Sequence, residues 1–230
     1  MTLLAIDTSG PSLSVAIIKD GVLCHETTIK NGLNHSQTLM PMVEQALATL
    51  DLAATDLSLI AAVVGPGSFT GVRIGVAAAK GLARAVAADC IGINALEALA
   101  FGTGESDTIV CPVRDARAKQ VYGAAFRAGK RLMADEVLPL TQYLAKVAAL
   151  GDRLLFVGDG VAPYRDAIAD VLGDKARFAP EHLLALKAGA VGVLALTRQE
   201  EAIPGADLMP LYLRAPQAER ERLAWEAMDG

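Results

Sequence analysis

Residues Val63-Val64-Gly65-Pro66-Gly67-Ser68-Phe69-Thr70-Gly71-Val72-Arg73-Ile74-Gly75 restrict the fold of this chain more than any other stretch. An apolar run from Leu59 to Val64 stops at Gly-Pro-Gly, and an alanine-rich segment continues to Ala88. The spacing predicts a buried strand, a tight turn and a helix starting near Ser68. Such a turn aims backbone N–H groups beyond the helix N-terminus, an arrangement suited to anions. It is not a generic phosphate loop. Its glycines are spaced GxGxxxG, one residue wider than the dinucleotide fingerprint, and no GK[ST] follows.

The elements around that turn repeat. Leu3–Thr8, Leu13–Lys19 and Leu23–Ile29 read as strands separated by Ser9-Gly10-Pro11 and Asp20-Gly21 turns. A helix follows over Ser36–Leu50, with Leu39, Val43, Leu47 and Leu50 on one stripe and Pro41 awkward outside the first turn. Then come the strand to Val64, the helix from Phe69, a strand at Cys90–Ile93 and a helix from Leu96. The second half starts afresh with strands at Thr108–Val113, Val121–Arg127 and Arg131–Val137. A helix at Gln142–Leu150, a strand at Leu154–Val157, a Gly158-Asp159-Gly160 turn and helices over Tyr164–Leu172 and His182–Thr197 complete it. Three strands, helix, strand, helix, met twice, is the order of an α/β protein built from a duplicated ribonuclease-H-like domain. Gly102-Thr103-Gly104-Glu105-Ser106 is the natural boundary, giving expected domains at 1–104 and 105–230. The segment from about 205 to 230 is expected to pack back on the first domain.

The motif Gly65-Pro66-Gly67-Ser68-Phe69-Thr70-Gly71-Val72-Arg73-Ile74-Gly75, after an N-terminal Leu3-Leu4-Ala5-Ile6-Asp7-Thr8-Ser9, resembles the TsaB (YeaZ) family. Further matching words are Val113-Arg114-Asp115-Ala116-Arg117, Gln120-Val121-Tyr122, Gly158-Asp159-Gly160 and Pro210-Leu211-Tyr212-Leu213-Arg214, so the resemblance covers nearly the whole chain. It implies the actin-like ATPase and sugar-kinase architecture. It also implies a non-catalytic partner of the transferase TsaD in bacterial synthesis of threonylcarbamoyladenosine on tRNA. That partner would activate TsaD, help recruit the ATPase TsaE, and pair with a second copy of itself when TsaD is missing. The resemblance places the partner-binding surface on Met40, Val43, Leu47, Ser68, Phe69, Thr70, Gly71, Val72, Arg73, Gly75 and Val76. Gly71 and Gly75 are four apart, with Ala78 and Ala79 a turn later. That nearly bare face admits a second helix at close range, or the chain's own sheet. Met40 and Met42 suit an adaptable contact.

Charge agrees with an indirect role toward tRNA. The 21 basic and 26 acidic side chains leave a net charge of −5, with no basic stripe of the kind that grips RNA. The 53% apolar content, mostly Ala, Leu and Val, suggests helices on buried sheets and some covered surface. Cys24, Cys90 and Cys111 are isolated and form neither a disulfide framework nor a zinc spacing. The N-terminus opens into a strand without a basic leader, and Leu57–Val72 is too turn-rich to span a bilayer. The expected setting is cytoplasmic, with no membrane contact.

Candidate chemistry is sparse. In the actin-like fold the first hairpin carries an acid that holds nucleotide-bound magnesium, and Asp7-Thr8-Ser9 sits there, with Asp159 as counterpart in the second half. The alternative is that Asp7 hydrogen-bonds its own turn. The turn-bonding reading is the favoured one for Asp7; Asp7, Thr8, Ser9 and Asp159 are the candidates for a vestigial nucleotide site, which leaves weak or interface-dependent ATP or ADP binding with magnesium open. An actin-like enzyme that phosphorylates a small molecule is the second functional reading. Arg73 and Lys80 share a helix face, suited to solvation or ion pairing. TsaD and the glycoproteases carry two metal-binding histidines four residues apart; by resemblance those positions fall on Ala95 and Leu99, which offer no lone pair. No histidine lies between His35 and His182, which argues against a glycoprotease-type metallopeptidase. Ser68 lies outside any GxSxG elbow, and no catalytic residue or metal site is expected.

Overall fold

The structure is a computed structural model, described for residues 1–30, 32 and 34–214. In the first half, strands β1 (Thr2–Asp7), β2 (Leu13–Lys19) and β3 (Val22–Ile29) precede helix α1 (His35–Thr49). Strand β4 (Leu59–Gly65), helix α2 (Phe69–Val86), strand β5 (Asp89–Asn94) and helix α3 (Ala95–Phe101) follow. The second half contains β6 (Ile109–Asp115), β7 (Gln120–Arg127), β8 (Lys130–Pro139), α4 (Leu140–Ala148), β9 (Leu154–Val157), α5 (Val161–Leu172) and β10 (Ala176–Phe178). The chain then runs through α6 (Glu181–Leu184), α7 (Ala188–Leu196) and β11 (Ile203–Pro204).

The two sheets have the same internal order. The first runs β3-β2-β1-β4-β5 and the second β8-β7-β6-β9-β10, with β11 added beyond β5. In each, the three leading strands pair antiparallel and the later ones parallel. This is a duplicated ribonuclease-H-like α/β fold.

Alternation along β1 explains how the first sheet is clothed on both sides. Leu4 and Ile6 face a core shared with Leu39, Val43 and Leu47 of α1 and Val72 and Val76 of α2. Leu3 and Ala5 face the other way, into a core that continues through α3 and α7 into the second half. A strand buried on both faces must be apolar throughout, as Leu3-Leu4-Ala5-Ile6 is.

Helix α7 departs from the expected single helix over His182–Thr197. Ala185 is extended, which ends α6 after Leu184. No side chain of α7 caps its own N-terminus. The Ala188 N–H donates instead to Ser14 Oγ at 2.9 Å and the Gly189 N–H to Glu26 Oε1 at 2.6 Å. Those partners lie on β2 and β3, so two of the orphan donors of the helix are satisfied by the first sheet. Gly192 lets the helix seat closely, since a Cβ there would meet Ile18, Ala5 and Leu3. Although distant in sequence, α7 therefore packs against the first sheet.

The chain returns again after α7. Strand β11 pairs antiparallel with β5, Leu208 is buried in the α1–α2 core, and Leu211 N donates to Val64 O at 2.7 Å. Residues 215–230 of the expected returning segment lie outside the described residues. Pro41 lies inside α1, on its exposed side, where water can serve the carbonyl left without an N–H. Among the described residues, no helix is long and apolar enough to cross a membrane.

Candidate functional site

The motif turn, the first hairpin and the turn after β9 meet around a cleft of about 670 Å³. Ser68 caps α2, its Oγ accepting from Gly71 N at 3.2 Å, and Ser68 N donates to Ser9 O at 2.8 Å. The motif serine is thus a structural cap tied to the first hairpin. Asp7 ends β1 with no exposed surface. Its Oδ1 accepts from Ser9 N at 2.8 Å and Ser9 Oγ at 2.5 Å, while Oδ2 has no hydrogen-bond partner. Burial pushes the Asp7 carboxyl above its ordinary range, opposed by the positive charge of Arg114 and by the Ser9 hydrogen bonds.

Arg114, at the end of β6, is the centre of the cleft and was absent from the expected site. The guanidinium is buried and bridges the two halves. Its Nε donates to Asp159 Oδ1 at 3.1 Å, and Nη1 donates to Ser9 Oγ at 2.7 Å and Pro66 O at 3.1 Å. Gly158 makes the Asp159 turn possible: its φ is +113°, and a Cβ there would run into the Val113 carbonyl. Asp7, Ser9 and Asp159 are therefore brought to one place. Thr8 turns away, its Oγ1 donating to Gly71 O at 2.7 Å.

Helix α2 carries two faces of small residues, and the expectation chose the inner one. Cβ atoms at Gly71 and Gly75 would collide with the Thr8 carbonyl and Thr8 Oγ1. Gly71, Val72, Gly75 and Val76, like Val43 and Leu47 of α1, are buried against the chain's own sheet. These six residues are corrected to core positions, because no partner reaches them without opening that core. Met40, Ser68, Thr70 and Arg73 are exposed and Phe69 is half-buried. The outer face of α2 instead presents Ala77 and Gly81, both exposed, with open space around a Cβ at Gly81. A mid-helix glycine without an internal packing reason was the available signal.

Arg73 and Lys80 grip the returning segment, correcting their reading as a solvated or ion-paired face. Lys80 Nζ donates to Leu208 O at 3.1 Å. Arg73 lies over the Phe69 ring at 3.8 Å from its centroid, and its Nε donates to Tyr212 Oη at 2.9 Å.

Ala95 and Leu99 are buried core residues of α3. Among the described residues, no three His, Cys, Asp or Glu side chains are grouped to hold a metal ion. Burial pushes the Cys90 and Cys111 thiols up to about 11 and about 12, which suppresses the nucleophilic thiolate. His35 Nε2 donates to Gly10 O at 2.9 Å and so steadies the first hairpin. A magnesium-bound nucleotide does not fit the hairpin acids as they stand, because a fixed guanidinium already lies among them.

Comparison with known proteins decides the family. The model of TsaD, tRNA N6-adenosine threonylcarbamoyltransferase, matches residues 29–222. The tRNA threonylcarbamoyladenosine biosynthesis protein TsaB of Bacillus subtilis is 34% identical, over 95% of this chain and 96% of its own. The chain belongs to the TsaB family. The solved structure of YeaZ from Pseudomonas aeruginosa aligns with a TM-score of 0.70 at 29% identity, covering 92% of this chain and 99% of that one. At the level of fold alone, the (R)-2-hydroxyglutaryl-CoA dehydratase component A of Acidaminococcus fermentans aligns with a TM-score of 0.51 and 12% identity, covering 87% and 99%. The TsaB motif residues divide between the α2 cap, the inner packing of α2 and the Arg73 grip on Tyr212.

Proposed function

We propose that this chain is a non-catalytic platform subunit in tRNA threonylcarbamoyladenosine biosynthesis, binding and activating a TsaD-family transferase. The observation that carries this reading is the near full-length similarity to the Bacillus subtilis biosynthesis protein TsaB. The docking surface is the outer side of α1 and α2: Met40, Thr70, Arg73, Ala77 and Gly81. Small side chains at Ala77 and Gly81 permit close approach of a second helix, and Met40 adapts to it. The same surface takes a second copy of the chain when the transferase is missing. Transferase and platform together recruit the TsaE-type ATPase, and tRNA is held by the transferase. Linkage supplies the activation: a subunit that binds only the competent conformer raises its population.

The test is sedimentation of this chain with the TsaD-family protein of the same organism, followed by a transfer assay on tRNA. The expected result is a complex in which modification requires both chains. Gly81→Arg should abolish the complex while leaving the circular dichroism and thermal midpoint of the free chain near wild type. A folded Gly81→Arg variant that still binds at wild-type affinity would move the surface elsewhere. A chain that ignores the transferase but phosphorylates a small molecule would replace the proposal with the kinase reading.

A further inference from the structure

Arg114 is a full positive charge, 3% exposed, held by oxygen atoms from three separate turns. Asp159 stands after β9, Ser9 between β1 and β2, and Pro66 between β4 and α2. Behind Ser9 lies Asp7, fully buried, with Oδ2 unpartnered. Carboxylate, hydroxyl and carbonyl oxygens converging from both halves are the donor types that a hard divalent cation takes. In this chain a guanidinium is among them.

We infer that Arg114 is a resident cation that takes the place of a metal ion in the cleft, ties the two halves together through Ser9 and Asp159, and excludes a magnesium-bound nucleotide. The charge is permanent, because a guanidinium does not deprotonate in a protein. A divalent ion placed among the same oxygens would face that charge within a few ångströms, and screening by water is weak at a buried site. The side chain is also costly to expel. Removing one member of a buried, hydrogen-bonded ion pair leaves the remaining charge without compensation. Exclusion therefore follows from a side chain that fills the site, with Asp159, Ser9 and Pro66 as its anchors.

The experiment uses the full chain and manganese(II), a paramagnetic substitute for magnesium whose free fraction is read by electron paramagnetic resonance. Wild type, Asp159→Asn, Arg114→Met and the Arg114→Met/Asp159→Asn pair are titrated at neutral pH, with circular dichroism confirming the fold. Wild type is expected to bind manganese no more tightly than Asp159→Asn does. Arg114→Met is expected to gain one site at least tenfold tighter than any in wild type, and the paired variant is expected to lose it. A wild-type site weakened by Asp159→Asn would overturn the inference, since the cleft would then hold metal beside Arg114. So would a folded Arg114→Met chain that gains no site. If Arg114→Met does not fold, wild type decides through its thermal midpoint in magnesium and ADP. An unchanged midpoint upholds exclusion, and a rise that disappears in Asp159→Asn refutes it.

Discussion

Tyr212 packs on Phe69, the first residue of α2, with ring centroids 4.8 Å apart. Arg73 completes the stack by lying over Phe69 and binding the tyrosine hydroxyl. The end of the described chain is thereby fastened to the start of the motif helix. Tyr212→Ala removes one aromatic pair and one partner of Arg73, so it should cost about 1–2 kcal/mol in urea unfolding. No measurable loss would show that the segment is held without Tyr212, by β11, Leu208, Lys80 and the Leu211–Val64 hydrogen bond.

Two glycines on the same helix should respond with opposite signs. A methyl at Gly75 meets Thr8 Oγ1, so Gly75→Ala should destabilise by about 1–3 kcal/mol through overpacking. A methyl at Gly81 meets nothing, so Gly81→Ala should gain about 0.5–1 kcal/mol of helix propensity. Thermal and urea unfolding of both variants measures this directly. Equal effects would mean that the inner and outer faces of α2 have been assigned wrongly.

Asp7 sets a pH dependence whose direction is fixed by its burial. Its carboxyl binds a proton more tightly in the folded chain than at the ordinary value of 3.8. The folded state therefore holds more protons than the unfolded state above that value, and stability falls as pH rises through the folded-state pKa. Asp7→Asn keeps an acceptor for Ser9 but cannot ionise. Urea unfolding between about pH 4 and 8 should show the variant gaining on wild type as pH rises. A difference that is flat with pH would sink the assignment.

Tyr143 offers a test remote from the cleft. It is fully buried on α4, and its hydroxyl lies 3.1 Å from Pro112 O and 3.0 Å from Ala124 O. Tyr143→Phe leaves those carbonyls without this donor and should cost about 1–2 kcal/mol. Binding of the transferase by the folded variant should be unchanged, as followed by sedimentation.

The strands and their order were legible because apolar runs between Gly, Pro and Asp turns leave few alternatives, and because three strands, helix, strand recurs. The break before α7 was not legible, since its cap groups come from Ser14 and Glu26, far away in sequence. Strands β10 and β11 are too short to carry a period. Helix α2 misled because small residues lie on both faces, and periodicity cannot tell a face that receives Thr8 from one left open. Arg114 could have been suspected. It is a charge directly after the apolar run Ile109–Val113, and a strand buried there must supply that charge with partners. The sequence did not reveal that those partners would be Ser9, Pro66 and Asp159.

Helix α7 has a consequence for how the polypeptide is made. During synthesis, the face of β1 and β2 that carries Leu3, Ala5, Ala16 and Ile18 leaves the ribosome long before the helix that helps cover it. Until Ala188–Leu196 arrives, that face is open to any apolar surface nearby, and the strand edges beside it invite wrong pairing. A nascent chain arrested before residue 188 should therefore be a substrate for holding chaperones, and release from them should coincide with the emergence of α7.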